Sequence, residues 1–324
     1  MTVLESFTNL RMRLQAGMVG QEQVIQSLLV GLLSNGHILL EGAPGLAKTR
    51  IARMLATSFE GEFKRIQFTP DLLPSDLTGS AIYDQREHRF DFQKGPLFSN
   101  FVLADEINRS PAKVQSALLE AMEERQITSG LESYLLEQPF FVIATQNPIE
   151  HDGTWELPQA QLDRFLLHVV VDYPAMEAER EILDLVMLEA VQDEEIGRLE
   201  ELPKPIPKYM LAKARRSVLN VHVSPLIRDY IVRLIAGTRN DPEPIEGVGE
   251  HLSHPISPRG SIALARTAQA LAWLEGRDHV LPDDVKALAS NVLRHRMGLS
   301  YRAEADGVHP DAIINTLLDQ IHVV

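Results

Sequence analysis

The sequence contains no cysteine among its 324 residues. Disulfide bonds, thiolate nucleophiles and thiolate metal ligands are therefore excluded. The absence of cysteine fits a reducing compartment, and residues 1–6 lack the basic-then-apolar order of a secretory signal. We therefore expect a cytoplasmic protein.

Long apolar runs and an excess of positive charge are also missing. The longest apolar stretch, residues 27–40, is interrupted by Gly31, Asn35, Gly36 and His37. We predict no integral membrane segment, because a bilayer span needs about 20 apolar residues. The net charge is −14, with 31 Lys and Arg against 45 Asp and Glu. Because nucleic acid binding favours clustered Lys and Arg, we expect no nucleic acid partner and disfavour a DNA-translocating ring.

A turn of small residues that ends in Lys-Thr directly follows the apolar residues 38–40. Glycines let the backbone fold closely around phosphates with N–H groups pointing inward, and the next helix directs its positive end there. We expect Lys48 to reach the β- and γ-phosphates and the Thr49 hydroxyl to ligate Mg²⁺. The alternative is an ordinary Gly/Pro turn. The predicted phosphate-binding residues are Gly42, Ala43, Pro44, Gly45, Leu46, Ala47, Lys48 and Thr49. Ala47 stands where the last glycine is expected, and alanine fits if that residue is already helical.

A carboxylate pair, Asp105 and Glu106, follows the apolar residues 101–104. Carboxylates at the end of a buried strand, downstream of a phosphate turn, predict that Asp105 holds Mg²⁺ through water. Glu106 would then polarise the water that attacks the γ-phosphate. The alternative is a pair of charges at the start of a helix.

Further polar residues are candidates for roles around the nucleotide. Asn147 follows an apolar strand and would lie near the attacking water, and the alternative is an Asn-Pro turn. Arg164 would act on a nucleotide bound by a neighbouring subunit, or it forms a surface pair with Asp163. Arg259 would report the nucleotide state to a second domain, or it is an exposed first-turn arginine. Arg109 is a candidate for a subunit contact.

Apolar strands alternate with helical patterns in the first part of the chain. This alternation predicts an α/β fold with a parallel sheet and helices on both faces. Strands are predicted at residues 38–40, 101–104, 140–144 and 166–171, and hairpins at residues 83–95 and 126–136. From Lys208 onward the pattern is all helical. We predict a nucleotide-binding core over residues 1–190 with a hairpin insert at about 70–96, a linker over 191–207 and a smaller all-α lid domain over 208–324.

These motifs, in this order, resemble those of AAA+ ATPases and in detail those of the MoxR family. The similarity extends over nearly the whole chain. Position 47 is usually alanine in that family, whereas Gln159 departs from it because members often have glutamate there. The resemblance is carried by Gly42-Ala43-Pro44-Gly45-Leu46-Ala47-Lys48-Thr49, Leu103-Ala104-Asp105-Glu106-Ile107-Asn108-Arg109, residues 115–124, Ile143-Ala144-Thr145-Gln146-Asn147-Pro148, Leu162-Asp163-Arg164-Phe165 and Ser257-Pro258-Arg259.

The resemblance implies a P-loop NTPase core with a Walker A motif at residues 42–49 and a Walker B motif at residues 101–106. It also implies that Asn147 is sensor 1, that Arg164 is the arginine finger and that Arg259 is sensor 2. Residues that match the adenine-contacting region of the family are Val19, Gly20 and Gln21. Residues 83–95 fall where this clade carries an insert in the second helix of the core.

The function implied by the resemblance is ATP hydrolysis with Mg²⁺ in a homo-oligomeric ring, often a hexamer. Such proteins act as chaperone-like remodelers of a protein client or adaptor, and their frequent partners carry von Willebrand factor A domains. Our leading hypothesis is a ring ATPase that remodels a partner protein or assists metal insertion into it. The alternative is an ATP-dependent switch or scaffold with negligible turnover, which would need all of these residues except Glu106.

Overall fold

The computed structural model describes residues 2–86, 88–129, 132–148, 154–195 and 204–323. The chain forms two compact units that interleave along the sequence. Unit 1 comprises Met1–Leu29, Leu40–Trp155 and Val169–Ala212, and unit 2 comprises Val30–Leu39, Glu156–His168 and Lys213–Val324. The contiguous domain boundaries given above stay a prediction, and residues 196–203 of the predicted linker lie outside the described residues.

Strands and helices alternate in the first part of the chain, and helices dominate after Lys208. The strands are β1 (Ile38–Gly42), β2 (Phe63–Gln67), β3 (Gly79–Asp84), β4 (Arg89–Lys94), β5 (Phe101–Asp105), β6 (Gln126–Ser129), β7 (Glu132–Leu135), β8 (Phe141–Gln146), β9 (Leu167–Val171), β10 (Leu252–His254) and β11 (Gly298–Leu299). The helices are α1 (Val3–Gly17), α2 (Glu22–Leu33), α3 (Lys48–Thr57), α4 (Pro74–Thr78), α5 (Ala112–Glu124), α6 (Gln159–Leu162), α7 (Met176–Glu195), α8 (Lys208–Leu219), α9 (Pro225–Gly237), α10 (Pro258–Leu274), α11 (Pro282–Leu293), α12 (Tyr301–Ala305) and α13 (Pro310–Gln320).

Five parallel strands form the central sheet, in the order β2-β5-β8-β1-β9. β5 lies between β2 and β8 and is buried along its whole length. Because parallel strands run in one direction, the carboxyl ends of β1, β5 and β8 meet at one edge of the sheet, where ligands bind in open α/β sheets. The predicted fold class, a parallel P-loop sheet with helices followed by a helical lid, is confirmed.

Within the central sheet, β2 is the strand that the sequence pattern did not indicate. It lies at an edge of the sheet, and of its residues only Ile66 is buried. Its sequence, Phe-Lys-Arg-Ile-Gln, therefore shows neither an apolar run nor a clear alternation of apolar and polar residues. The strand is nevertheless held in register with β5, with Arg65 opposite Leu103 and Gln67 opposite Asp105.

Two antiparallel hairpins accompany the sheet. β3 pairs with β4, so the hairpin predicted at residues 83–95 is present but begins earlier, at Gly79. β6 pairs with β7, in agreement with the hairpin predicted at residues 126–136, and residues 130 and 131 lie outside the described part of the chain. Exposed aromatic side chains, Tyr83 and Phe90, pack against each other on the first hairpin.

Unit 2 is built mainly from helices around a buried apolar core. Fully buried residues from four helices, Tyr230, Leu264, Val285 and Ile314, contribute to this core. The helical prediction for this region omitted the antiparallel pair of β10 and β11, because strands of two or three residues show no periodicity. Across the described residues, no helix has both the length and the apolar character that a membrane span requires.

Candidate nucleotide site

The predicted phosphate turn lies between the end of β1 and the start of α3. Gly42 is tightly packed, since a Cβ there would come within 2.6 Å of the Val171 carbonyl oxygen. Gly45 has a φ of +87°, a conformation that favours glycine. Ala47 has φ +54° and ψ +23° and is therefore left-handed, so the condition under which alanine would fit without strain is not met. This conformation costs an alanine about 1–2 kcal/mol.

Lys48 is buried at the first position of α3, with 8% of its surface exposed. Its ammonium group donates to the Asn147 side-chain oxygen at 3.0 Å, to the Gln146 carbonyl at 3.2 Å and to the Gly42 carbonyl. Burial lowers the pKa of Lys48, and the charges of nearby carboxylates, Asp105 first, oppose that shift. The structure thus places a poorly hydrated cation where the turn faces the sheet edge.

Asp105 and Thr49 lie side by side at this edge. The Thr49 hydroxyl donates to Asp105 Oδ2 at 3.3 Å, and the Thr145 hydroxyl donates to Asp105 Oδ1 at 2.6 Å. The Thr145 oxygen also accepts the backbone N–H of Glu106 at 2.9 Å, which fixes the backbone between the two carboxylates. Hydroxyl and carboxylate oxygens are the ligand type that Mg²⁺ prefers, so this donor set fits Mg²⁺.

Glu106 has a left-handed backbone, with φ +58° and ψ +51°. Its carboxylate accepts the Asn147 side-chain N–H at 3.3 Å and the Gln67 side-chain N–H at 2.7 Å, and it lies 3.2 Å from the Arg109 guanidinium. Asn147 therefore contacts both Lys48 and Glu106. The structure brings together five residues that were predicted from separate motifs: Lys48, Thr49, Asp105, Glu106 and Asn147.

Sequence reasoning missed two polar residues of β2 at this site, Arg65 and Gln67. Arg65 donates to Asp105 Oδ2 through Nε at 3.0 Å and through Nη2 at 2.7 Å. Gln67 contacts Glu106, as described above. No sequence signal pointed to either residue, because the strand that positions them was itself not predicted. Thr145 lay inside a recognised motif, but its position alone did not indicate its bridging role.

Two cavities flank the phosphate turn within unit 1. The first has a volume of about 370 Å³ and a largely apolar wall that includes Val19, Leu46 and Tyr173, together with Gln21. Gly20 adjoins this wall, since a Cβ there would meet Ala178 and Pro174. The second has a volume of about 870 Å³ and is lined by polar residues such as Glu41, Asn108 and Asn147. Both volumes fall in the range of small-molecule sites, roughly 300–1,000 Å³.

The two predicted arginines, Arg164 and Arg259, belong to unit 2. Arg164 is half-buried and follows α6, and Arg259 is in the first turn of α10. Asp163 lies 3.7 Å from Arg259 and 3.1 Å from the buried Arg296. Burial lowers the pKa of Arg296 to about 10, and the negative charge of Asp163 counteracts this shift.

Gln159, which departs from the family pattern, has a defined contact. Its side-chain N–H donates to the His295 carbonyl at 2.7 Å. His295 in turn lies 3.0 Å, through Nε2, from the Phe165 carbonyl oxygen. Gln159 therefore helps to join α6 to the 3-10 turn Arg294–Arg296 within unit 2.

A parallel sheet with a phosphate turn after β1 and a carboxylate pair at the end of β5 is the arrangement of a P-loop nucleotide-binding protein, and the comparisons below place it in the AAA+ class. Comparison with known families agrees with this class. Residues 37–167 match the ATPase family associated with various cellular activities (AAA), and residues 247–317 match the AAA lid domain.

Three similar proteins narrow the class to a family. Chaperone MoxR1 of Mycobacterium tuberculosis is 44% identical over 94% of this chain and 78% of its own length. The uncharacterised protein YeaC of Bacillus subtilis is 45% identical over 94% of this chain and 91% of its own. A crystal structure from Cytophaga hutchinsonii, described as a candidate ATPase, has a TM-score of 0.89 and 42% identity, and the match covers 99% of this chain and 96% of that one. This chain belongs to the MoxR family of AAA+ ATPases.

Proposed function

We propose that this protein binds ATP with Mg²⁺ at the phosphate turn and hydrolyses it to ADP and phosphate. The observation that carries the proposal is the contact of Asn147 with both Lys48 and Glu106, because it joins the cation of the turn to the second carboxylate. Lys48 would bind the β- and γ-phosphates as a point charge. The backbone N–H groups of residues 42–49 would surround the phosphate chain.

The remaining groups of the sheet edge would divide the chemistry between them. Thr49 and Asp105 would hold Mg²⁺, which when bound neutralises charge on the β- and γ-phosphates. Glu106 would align and polarise the attacking water, and Asn147 would keep its amide beside that water. The apolar cavity next to the turn would take the adenine, with Val19, Gly20 and Gln21 against the base.

We further propose that the protein acts as a homo-oligomeric ring, and the family resemblance favours a hexamer. In that assembly Arg164 is the arginine finger for the nucleotide of the adjacent subunit, and Arg259 is sensor 2. The ring would remodel or activate a partner protein, or assist metal insertion into it. The relative MoxR1 is named as a chaperone, and this supports a protein client. A von Willebrand factor A domain protein is the partner class that the family resemblance favours.

A second function is favoured by the contacts of Glu106 with Gln67 and Arg109, because they engage the carboxylate that hydrolysis requires. In this case ATP binding alone would set the conformation of a switch or scaffold, with negligible turnover. Phosphate release measured over a range of protein concentrations separates the two functions. Turnover that stays at the buffer background at every concentration would favour the switch.

The variant Glu106→Gln tests the hydrolysis mechanism directly. We expect it to bind a fluorescent ATP analogue as the wild type does and to lose phosphate release, because an amide cannot accept a proton from water. The control is Glu62→Gln, which changes a 60%-exposed carboxylate of unit 1. Undiminished phosphate release by Glu106→Gln would show that Glu106 does not activate the attacking water.

The same variant provides a search for the client. If hydrolysis drives release of the client, Glu106→Gln with ATP should retain a bound partner that the wild type releases. Affinity capture with ATP, compared with capture without nucleotide, would identify proteins whose binding depends on the ATP-bound state.

A further inference from the structure

The guanidinium of Arg65 contacts the carboxylate that we assign to Mg²⁺. Asp105 Oδ2 accepts two hydrogen bonds from Arg65, at 2.7 and 3.0 Å, in addition to the one from Thr49 at 3.3 Å. This oxygen and the Thr49 hydroxyl form the donor pair proposed for the cation. The Arg65 guanidinium therefore contacts the same Asp105 oxygen that is proposed to hold Mg²⁺.

The position of Arg65 follows from the register of the edge strand. β2 pairs with β5 so that Gln67 lies opposite Asp105, and Arg65 and Gln67 point to the same face because side chains alternate along a strand. Arg65 Nη2 donates to the Gln67 side-chain oxygen at 2.9 Å, and the Gln67 amide donates to Glu106 at 2.7 Å. One short strand thus contacts both carboxylates of the site.

The exposure of the two partners differs sharply. The Arg65 side chain is 51% exposed, whereas that of Asp105 is 9% exposed. The half-exposed guanidinium can return to water at modest cost, because about half of its side-chain surface is already hydrated. The buried carboxylate, by contrast, needs a cation or donor in contact with it. Asp105 can therefore exchange one positive partner for another.

We propose that Arg65 competes with Mg²⁺ for Asp105 and so sets the Mg²⁺ concentration at which Mg·nucleotide fills the site. The inference rests on the proposed function in one respect, namely that Asp105 and Thr49 are where Mg²⁺ binds. At low Mg²⁺ the guanidinium neutralises Asp105. When Mg²⁺ and nucleotide arrive together, Arg65 leaves Asp105 and becomes solvated.

A role of Arg65 in supporting Mg²⁺ binding predicts the opposite change in the Mg²⁺ dependence. If Arg65 served only to orient Asp105 for the cation, its removal would weaken Mg²⁺ binding. If Arg65 instead competes with Mg²⁺ for Asp105, its removal would strengthen Mg²⁺ binding. The direction of the change in Mg²⁺ dependence therefore decides between the two roles.

The experiment measures binding rather than turnover. The full-length chain is mixed with a fluorescent, non-hydrolysable ATP analogue at one fixed concentration, and Mg²⁺ is titrated while fluorescence anisotropy is recorded. Wild type, Arg65→Ala and Arg65→Gln are compared at identical concentrations. Because Mg²⁺ and the analogue associate in solution to the same extent in every sample, a difference between variants reports the protein site.

We expect the half-saturating Mg²⁺ concentration to fall by about fivefold in both Arg65 variants, because a half-exposed cation that competes for Asp105 is lost. The matched control is Lys64→Ala, which removes the neighbouring cation, paired with Glu62 at 3.4 Å, from the opposite face of β2. Lys64→Ala should leave the midpoint unchanged. In the Asp105→Asn background, replacing Arg65 should have no further effect, because the shared carboxylate is gone.

An unchanged or higher Mg²⁺ midpoint in both Arg65 variants, with the wild type binding the analogue normally, would overturn the competition by Arg65 and leave the proposed function intact. A fivefold shift that persists in the Asp105→Asn background would overturn it as well, since the effect would not pass through Asp105. A wild type that binds no analogue at any Mg²⁺ concentration would overturn the proposed function and this inference together.

Discussion

At the scale of single residues, the phosphate turn contains a conformation that its own sequence disfavours. Ala47 has a φ of +54° although it has a Cβ, and it directly precedes Lys48 at the start of α3. A left-handed alanine is strained, whereas glycine adopts the same conformation without that penalty. The family resemblance explained why alanine is tolerated at this position but not which backbone conformation it has.

The variant Ala47→Gly should therefore be more stable than the wild type by up to about 1 kcal/mol, because relief of strain exceeds the entropy that glycine adds to the unfolded chain. Urea denaturation of the nucleotide-free protein measures the change. Ala52→Gly in the interior of α3, where the residue is buried and helical, should instead lose about 1 kcal/mol or more. A loss of stability in Ala47→Gly of the size seen in Ala52→Gly would contradict the strain at position 47.

His295 gives a second residue-scale prediction, on pH. Its pKa lies well below 6.5, first because the ring is buried and then because of the positive charge of Arg296. The folded protein therefore keeps the ring neutral, while the unfolded chain takes up a proton as the pH falls below 6.5. Acid thus favours unfolding, and between pH 7 and pH 5 this group alone should remove up to about 2 kcal/mol of stability.

The measurement is the free energy of unfolding of the wild type and of His295→Gln at several pH values. The difference between the two should change by up to about 2 kcal/mol in the direction that favours the variant at pH 5. His254→Gln, at an exposed position of unit 2, serves as the control and should follow the wild type. Parallel curves for wild type and His295→Gln would show that the ring is not held neutral.

At the scale of elements, one carboxylate joins the short helix α6 to other parts of unit 2. Asp163 follows α6 and lies 3.1 Å from Arg296, whose side chain is only 3% exposed. Arg296 also donates to the Phe165 carbonyl at 2.7 Å. The segment that carries Arg164 is therefore anchored to the turn after α11 by this ion pair. The anchor restricts the position of the Arg164 backbone within unit 2.

Asp163→Ala should lower the free energy of unfolding by about 3 kcal/mol, because it leaves the buried guanidinium without its counter-charge. The double variant Asp163→Ala, Arg296→Met should recover most of this loss, since it removes the uncompensated charge. Asp91→Ala is the control, because its ion pair with Arg89 is exposed. If the double variant is as unstable as Asp163→Ala, the loss does not come from the buried charge of Arg296.

At the scale of the whole molecule, we propose that a second copy of the chain completes the active site by supplying Arg164. Arg164→Ala alone should lower turnover by about 10³-fold, the effect typical of losing an arginine finger. An equal mixture of Arg164→Ala and Glu106→Gln should regain activity, because about one interface in four of a randomly mixed ring has both groups intact. Phosphate release by each variant and by the mixture provides the measurement.

The specific activity of the wild type should likewise rise with protein concentration until the ring is assembled. Mixing of the subunits must be shown separately, for example by energy transfer between labelled chains. Rings that mix and yet recover no activity would argue that Arg164 does not act in trans.

Much of the fold could be predicted because its signals are local. The buried strands β1, β5 and β8 each show a continuous apolar run, β9 is apolar apart from His168, and the turn after β1 has its own composition of small residues. β2 could not be predicted, since an edge strand with mostly exposed side chains has no such pattern. The local pattern also did not indicate that unit 2 includes residues 30–39 and 156–168, which lie within the predicted core.

Local sequence was enough to predict which polar residues follow the strand ends: Lys48 and Thr49 at one, Asp105 and Glu106 at another, and Asn147 at a third. Each motif is a short run of neighbouring residues, so it can be recognised without knowledge of the fold. The contact of Arg65 with Asp105, 40 residues further along the chain, emerged only from the fold. It depends on the pairing and register of β2 with β5, and the mostly exposed side chains of β2 give no local pattern that would indicate this pairing.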